Sequence, residues 1–216
     1  MTIKNPQKTT TNINPAKPTQ FLNQKMTEID NTPETLQKLK QQLNPQNDNY
    51  NFLGFTLNLK TATLTNNIGQ VNPEELSIKL LPAILSHYTQ SKPILATGNL
   101  VKFKDVPGGY SYAEAFTKRA IEPVAKTFGN NPELMIKAAE LLGGKPQKLG
   151  DASFVIEALK GILLTYILWK ADEEFAAEVN VLYDDAASNY LPTEDLAVLG
   201  ELTSIRLIAA SKTLKK

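Results

Sequence analysis

Residues 152–183, ASFVIEALKGILLTYILWKADEEFAAEVNVLY, decide how the chain folds. Three β-type runs lie close together there: Ala152–Leu159, the almost wholly apolar Ile162–Trp169, and Glu178–Tyr183. The middle run suits a central strand covered on both faces, and it is too short to cross a bilayer, which takes about 20 residues. Short connections between successive strands argue for antiparallel pairing with helices gathered on one side. The expected class is α+β, an antiparallel sheet of about four to six strands with helices packed on one side, rather than a doubly wound α/β sheet. Trp169 closes the most apolar run just before the charged turn KADEEF, and burial is expected for it.

Outward from this stretch, helix starts are marked by a cap, a proline and an acid. NTPET places Thr32 before Pro33 and Glu34, VNPEEL places Asn72 before Pro73 with Glu75 behind it, and NNPEL places Asn131 before Pro132 and Glu133. Proline at the first helical position has no N–H to leave unpaired, and the acid complements the helix dipole. The pattern predicts helices over 33–43, 73–90, 111–128 and 132–142, and a last one from Thr193 towards Ser211. Pro123 is expected to kink the third of these, and Gly143–Gly144 to stop the fourth. YNFLGFTLNL (50–59) alternates as one half-buried strand, with TATLT (61–65) pairing back on it.

Composition bounds the rest. The chain of 216 residues is 42% hydrophobic, carries a net charge of +1 and contains no cysteine. Disulfides, thiolate metal sites, cysteine nucleophiles and clusters held by its own cysteines are thereby excluded, and the redox compartment is not readable. A near-neutral chain offers no global field for nucleic acid or a membrane. With no apolar signal core in the N-terminal residues, a cytoplasmic location is expected. Residues 1–30, rich in Asn, Thr, Lys, Gln and Pro, read as a disordered polar tail, and residues 31–216 as a single globular domain.

Candidate chemistry is sparse. PGGYSYAEAF (107–116) carries Gly108, Gly109, Tyr110 and Tyr112 at a predicted helix start, with Ser111 and Glu114 in capping-box spacing. Backbone N–H groups at such a start can bind an anion, yet no lysine follows in P-loop spacing. The tyrosines can line a ligand pocket or cap the core with their hydroxyls in water. His87 is the sole histidine, which excludes paired-histidine and histidine-rich metal chemistry, and no G-x-S-x-G elbow is present. Arg119, one of two arginines with Arg206, either pairs with a carboxylate of the fold or reaches an anionic ligand. These six residues, Gly108, Gly109, Tyr110, Tyr112, Arg119 and His87, are the candidate ligand-binding set; no metal site, cofactor or catalytic residue is specified.

The strongest charge signal lies between Ala171 and Ile205. Nine carboxylates, at 172, 173, 174, 178, 184, 185, 194, 195 and 201, occur there without a lysine or arginine, leaving +10 on the remainder of a +1 chain. They are acidic turns and helix starts, a hard-cation site, or a docking face for a basic partner. No D-x-D-x-D-G spacing supports the cation site, so Asp172, Glu173, Glu174, Asp184 and Asp185 are the candidate docking residues.

The blocks VPGGYSYAEAFTKRAIEPVAKTFG, LGGKPQKLGDASF, ILWKADEEF, VLYD and YLPTEDLAVLG, in that order over about residues 75–205, resemble the domain of unknown function numbered 3786 of anaerobic bacteria and methanogenic archaea. The resemblance carries no assigned catalytic residue. It implies the company of corrinoid, tetrapyrrole and iron–sulfur proteins, and since this chain has no cysteine, any cluster belongs to a partner. Two functions are expected from it together with the residues: a non-catalytic binding or accessory protein of anaerobic metabolism, with a basic or iron–sulfur protein or a small molecule as partner, or a carboxylate-dependent enzyme acting on a small anionic substrate.

Overall fold

The structure, a computed structural model, describes residues 24–25, 32–70, 72 and 75–214. In chain order the first elements are β1 (Gln24–Lys25), α1 (Pro33–Leu43), β2 (Asn49–Phe52), β3 (Phe55–Asn58), β4 (Thr63–Asn66), α2 (Leu76–Lys79), α3 (Leu81–Tyr88) and β5 (Leu100–Lys102). There follow α4 (Ala113–Phe116), α5 (Glu122–Phe128), α6 (Pro132–Leu141), β6 (Lys145–Gln147), β7 (Ala152–Leu159), β8 (Ile162–Trp169), β9 (Glu178–Asp184) and α7 (Thr193–Thr213). The fold is α+β, with two antiparallel sheets: five strands in the order β5-β9-β8-β7-β6, and a smaller sheet in the order β1-β4-β3-β2. Most of the tail expected over residues 1–30 lies outside the described residues; Gln24 and Lys25, which lie inside, pair with Leu64 and Thr63.

The hairpin β7–β8 turns through Lys160 and Gly161, with Leu159 opposite Ile162. Gly161 holds φ +82°, and a Cβ there would strike the Tyr190 ring, so turn and packing both require glycine. Alternation then sorts the side chains. Phe154 and Ile156, Leu164, Tyr166 and Leu168, and Val181 and Tyr183 form one covered face. α7 lies on it: Tyr183 Oη donates to Leu196 O at 2.8 Å, and Tyr166 Oη and Ser204 Oγ share a bond of 2.9 Å. Each fully covered Leu or Phe side chain in this interface contributes about 2 kcal/mol to stability. The helices that pack on the sheet, α5, α6 and α7, also pack on one another and so form a single layer.

That one-sided layer corrects the expectation for Trp169, which is 40% exposed. Trp169 is one residue out of phase with Leu168 and points away from α7. On its face Ile167 and Ser153 are covered near the loop 148–151, where Leu149 N–H donates to Ser153 Oγ at 2.8 Å, but Trp169 lies at the strand end.

Three further expectations are corrected. The stretch 50–59 is a hairpin, β2 and β3 joined by Leu53 and Gly54, both with positive φ (49° and 72°), the geometry of a two-residue hairpin turn. A leucine tolerates this only where surroundings enforce it: Leu53 is buried, and Arg206 Nε donates to its carbonyl at 2.8 Å. The helix expected over 73–90 begins at Leu76 and divides at Leu80, because Pro82 cannot donate to the residue four before it and crowds that carbonyl; residues 71, 73 and 74 lie outside the described residues. The helix expected over 111–128 opens with a 3-10 turn at Gly109–Tyr112, in which Ser111 forms no cap, so the capping box is not made. The kink assigned to Pro123 takes the form of a π turn, Thr117–Ile121, closed by Glu122 N–H donating to Thr117 O.

Elsewhere the local signals hold. Thr32 Oγ1 accepts from Thr35 N–H at 3.3 Å, Asn131 Oδ1 from Leu134 N–H at 3.1 Å, and Gly143 (φ 87°) ends α6 with Gly144 N–H on Ala139 O at 2.8 Å.

Candidate functional site

The residues singled out by sequence gather along the first turns of α7. Thr193 Oγ1 donates to Pro107 O, which seats the PGGYSY turn on the start of that helix. Gly108 takes φ 79°, and Gly109 backs onto the Phe103 carbonyl so closely that no Cβ fits. Both glycines are accounted for by this crossing of chains. Tyr112 Oη donates to Glu194 Oε1 at 3.1 Å, and that carboxylate, by hydrogen bond and charge, pushes the phenol above its ordinary pKa. His87 Nδ1 lies 2.6 Å from Asp195 Oδ2. Arg119, inside the π turn, places Nε 3.2 Å from Glu201 Oε2. Burial raises the Glu201 carboxyl; Arg119 opposes this and Glu75 adds to it. Tyr110 stands apart, 83% exposed.

The sequence blocks PGGYSY and PTED therefore do converge, as a row of polar ties on the flank of α7. Glu194 and Glu201, two turns apart, hold the 109–121 segment, while Asp195 reaches α3 on the other side.

The acidic window is likewise distributed. Asp184 is 2% exposed and accepts from Thr97 N–H (3.1 Å), Gly98 N–H (2.7 Å) and Ala186 N–H (3.0 Å), so it frames the 97–99 loop from inside the fold. Asp185 accepts from Thr97 Oγ1 and from Asn99 Nδ2, and these bonds hold its pKa down. Asp172 accepts from the N–H groups of Phe175 (2.7 Å) and Glu174 (2.9 Å), which lower its pKa. Glu173 and Glu174 are exposed on the same turn. The five candidate docking residues thus fall into two groups, Asp172, Glu173 and Glu174 before β9 and Asp184 and Asp185 at its end, separated by a strand about 20 Å long. Among the described residues no three His, Asp or Glu side chains come together to hold a metal ion.

A feature that sequence reasoning missed lies on the opposite flank of α4–α5. β5 pairs only with Leu182, Tyr183 and Asp184 of β9, so Glu178–Val181 have no strand beside them on that edge among the described residues. A groove of about 440 Å³ runs there. One wall is the helix face bearing Phe116, Thr117, Ile121 and Ala125; the other is Ala177–Val181, five consecutive residues. Successive strand residues point to opposite faces, so a cavity touching all five runs along the strand's edge. Its floor adjoins an aromatic cluster, Phe103 stacked on Phe116 at 4.4 Å with Tyr183 6.1 Å from each. Lys102 and Lys104 stand at the end where β5 stops, Glu122 and Glu178 towards the other, and among the described residues none of the four is in an ion pair. The signal available in sequence was slight: a short VKFK run and an ordinary helix face.

Fold and groove define a helix-backed antiparallel α+β domain in which, among the described residues, no strand lies beside residues 178–181 on the outer side of β9. The model of the family described as Domain of unknown function (DUF3786) matches residues 31–206, and the chain belongs to that family. A search of curated proteins finds no match, and a search of solved structures finds none either. No helix among the described residues is long and apolar enough to cross a membrane.

Proposed function

We propose that the protein is a non-catalytic binding module, an accessory protein that holds a partner in the groove between β9 and α4–α5. One observation carries this: among the described residues the groove's charged rim forms no ion pair and its strand edge has no strand beside it, whereas the conspicuous polar residues of the α7 flank are already engaged with one another. The company implied by the sequence resemblance makes an iron–sulfur or corrinoid protein of anaerobic metabolism the partner to look for. Ala125→Trp fills the groove from its helix wall. Anaerobic affinity capture from the native host, with a visible spectrum of what copurifies, is expected to recover a partner with the wild type and lose it with the variant at an unchanged melting temperature. Identical capture by both would remove the groove from consideration.

The second reading, a carboxylate-dependent enzyme on a small anionic substrate, has its own support in Glu201. This carboxyl is nearly covered, shifted upward by burial, and faced by Arg119 from a π turn, a device common at functional sites. In that case Arg119 would hold the anion and Glu201 move the proton. Turnover that Glu201→Gln abolishes and Ala125→Trp leaves intact would establish it.

A further inference from the structure

We infer that the groove takes an extended peptide, which adds a strand to β9 where β5 stops. The inference rests on the groove being the binding site and goes further by naming the ligand's backbone conformation, direction and charge order.

Three observations point the same way. First, the groove is bounded by strand edge on one side and helix face on the other, so an occupant meets main-chain N–H and C=O groups along one margin and apolar side chains along the other. In an antiparallel ladder alternate residues turn both polar groups outward; among the described residues no backbone bond from another element reaches those of Glu178–Val181. An extended peptide satisfies such a row, as in other cases of strand addition, whereas a helix or a small apolar molecule leaves it unpaired. Second, β5 already shows the register: Lys102 stands opposite Leu182, and the next pairing position along β9 is Val181. The chain leaves the strand there in a 3-10 turn, Phe103–Asp105, and vacates the track. Third, the rim is dipolar. Lys102 and Lys104 mark the Val181 end, while Glu178 marks the other, with Glu122 on the helix wall beyond Phe116. A peptide continuing β5's direction, antiparallel to β9, meets the lysines first. It therefore carries an acidic residue near its start, alternating apolar residues for the floor beside Phe116 and Ile121, and a basic residue near its end.

The probe is the blocked peptide DVTVK, titrated into the isotope-labelled full chain and followed by amide shifts and amide hydrogen exchange. Saturable shifts centred on 178–181, with new exchange protection there, are expected. Methylating alternate backbone nitrogens of the probe, in each of the two phases, keeps its side chains but removes its donors; one phase is expected to weaken binding about tenfold or more, since a lost donor strands a covered carbonyl, and the other to have little effect. Lys102→Glu with Lys104→Glu is expected to weaken DVTVK and favour KVTVK. Equal binding of both methylated probes, or shifts without protection at 178–181, would overturn strand addition. So would the absence of any shift at 178–181. The two levels fail separately: if Ala125→Trp loses the cellular partner but DVTVK leaves 178–181 unchanged, only the peptide inference falls, and if Ala125→Trp keeps the partner, the groove falls as the binding site.

Discussion

The two flanks of the helix that runs from Ala113 through the π turn to Phe128 are chemical opposites. Towards α7, Tyr112 and Arg119 meet Glu194 and Glu201, and the neighbouring Pro107 carbonyl is taken by Thr193. Towards β9 the wall is apolar, and among the described residues the rim charges form no ion pair and half a strand edge has no strand beside it. The first flank is the chain binding itself; the second has capacity to spare. Residues that look unusual in a sequence, such as paired glycines, a lone histidine or the acids at 184, 185, 194, 195 and 201, are here occupied in closing the fold. The open capacity is assembled from ordinary residues of three separate segments. Substitutions on the α7 side should therefore leave binding where it is, whatever they do to stability, and those on the groove side should move binding without moving stability.

The largest effect that tests this division is expected at Arg206. It is wholly covered, stacks 4.2 Å over the Phe55 ring, and donates to Leu53 O (2.8 Å), Asn66 Oδ1 (2.8 Å) and Ile68 O (2.6 Å), with no carboxylate partner among the described residues. Burial lowers its pKa to about 10. Arg206→Met should cost about 3 kcal/mol, because several covered carbonyls lose their donor at once; urea midpoints would show it. A near-neutral result would mean that the small sheet docks on α7 by apolar packing alone.

Next in size is an alkaline loss of stability. Burial raises the phenols of Tyr88, Tyr166 and Tyr183 above the ordinary value of 10.0. The folded chain then keeps protons that the unfolded chain releases, so this contribution is complete below pH 10 and is lost as pH rises towards the folded values. Melting temperature should fall steadily above pH 10, and less steeply in Tyr166→Phe. A flat profile to pH 11 would show that these hydroxyls reach water.

A smaller effect separates the acids around β9. Asp184→Asn replaces, at a buried position, one acceptor that holds the exposed 97–99 loop by a donor and should cost about 1–2 kcal/mol, whereas Glu173→Gln with Glu174→Gln should leave the midpoint where it was. If the pair change destabilises as much as Asp184→Asn, the 172–175 turn is an internal strut rather than free surface.

How far the sequence disclosed all this follows from the range of the interactions. The strands at 152–159, 162–169 and 178–184 and the caps at Thr32 and Asn131 rest on neighbours within a few residues, and they were readable. Two features were local yet overlooked: Pro82, which divides α2 from α3, and the parity of Trp169, which follows from helices lying on one side. The Leu53–Gly54 turn is of another kind, since what makes a left-handed leucine tolerable there is a guanidinium from residue 206. The same holds for the acidic window. Its charges looked uncompensated because partners such as Thr97, Tyr112, His87 and Arg119 come from earlier in the chain. The groove was invisible because it depends on where β5 stops relative to β9.

The smallest expected effect bears most directly on the comparison. Tyr112 and Glu194 form an exposed tie between the PGGYSY turn and α7, and exposed pairs of this sort contribute little to stability. Tyr112→Phe should leave the melting temperature almost unchanged. Its phenol, pushed upward by Glu194, should titrate closer to the usual tyrosine value in Glu194→Gln, which an NMR titration of the ring would resolve. Neither change is expected to alter capture of a partner or the shifts caused by DVTVK at 178–181. Should Tyr112→Phe keep its fold and its groove shifts but lose the partner, the assignment of the two flanks is inverted: the row of ties along α7 would then be the binding surface, held closed by its own carboxylates until the partner displaces them.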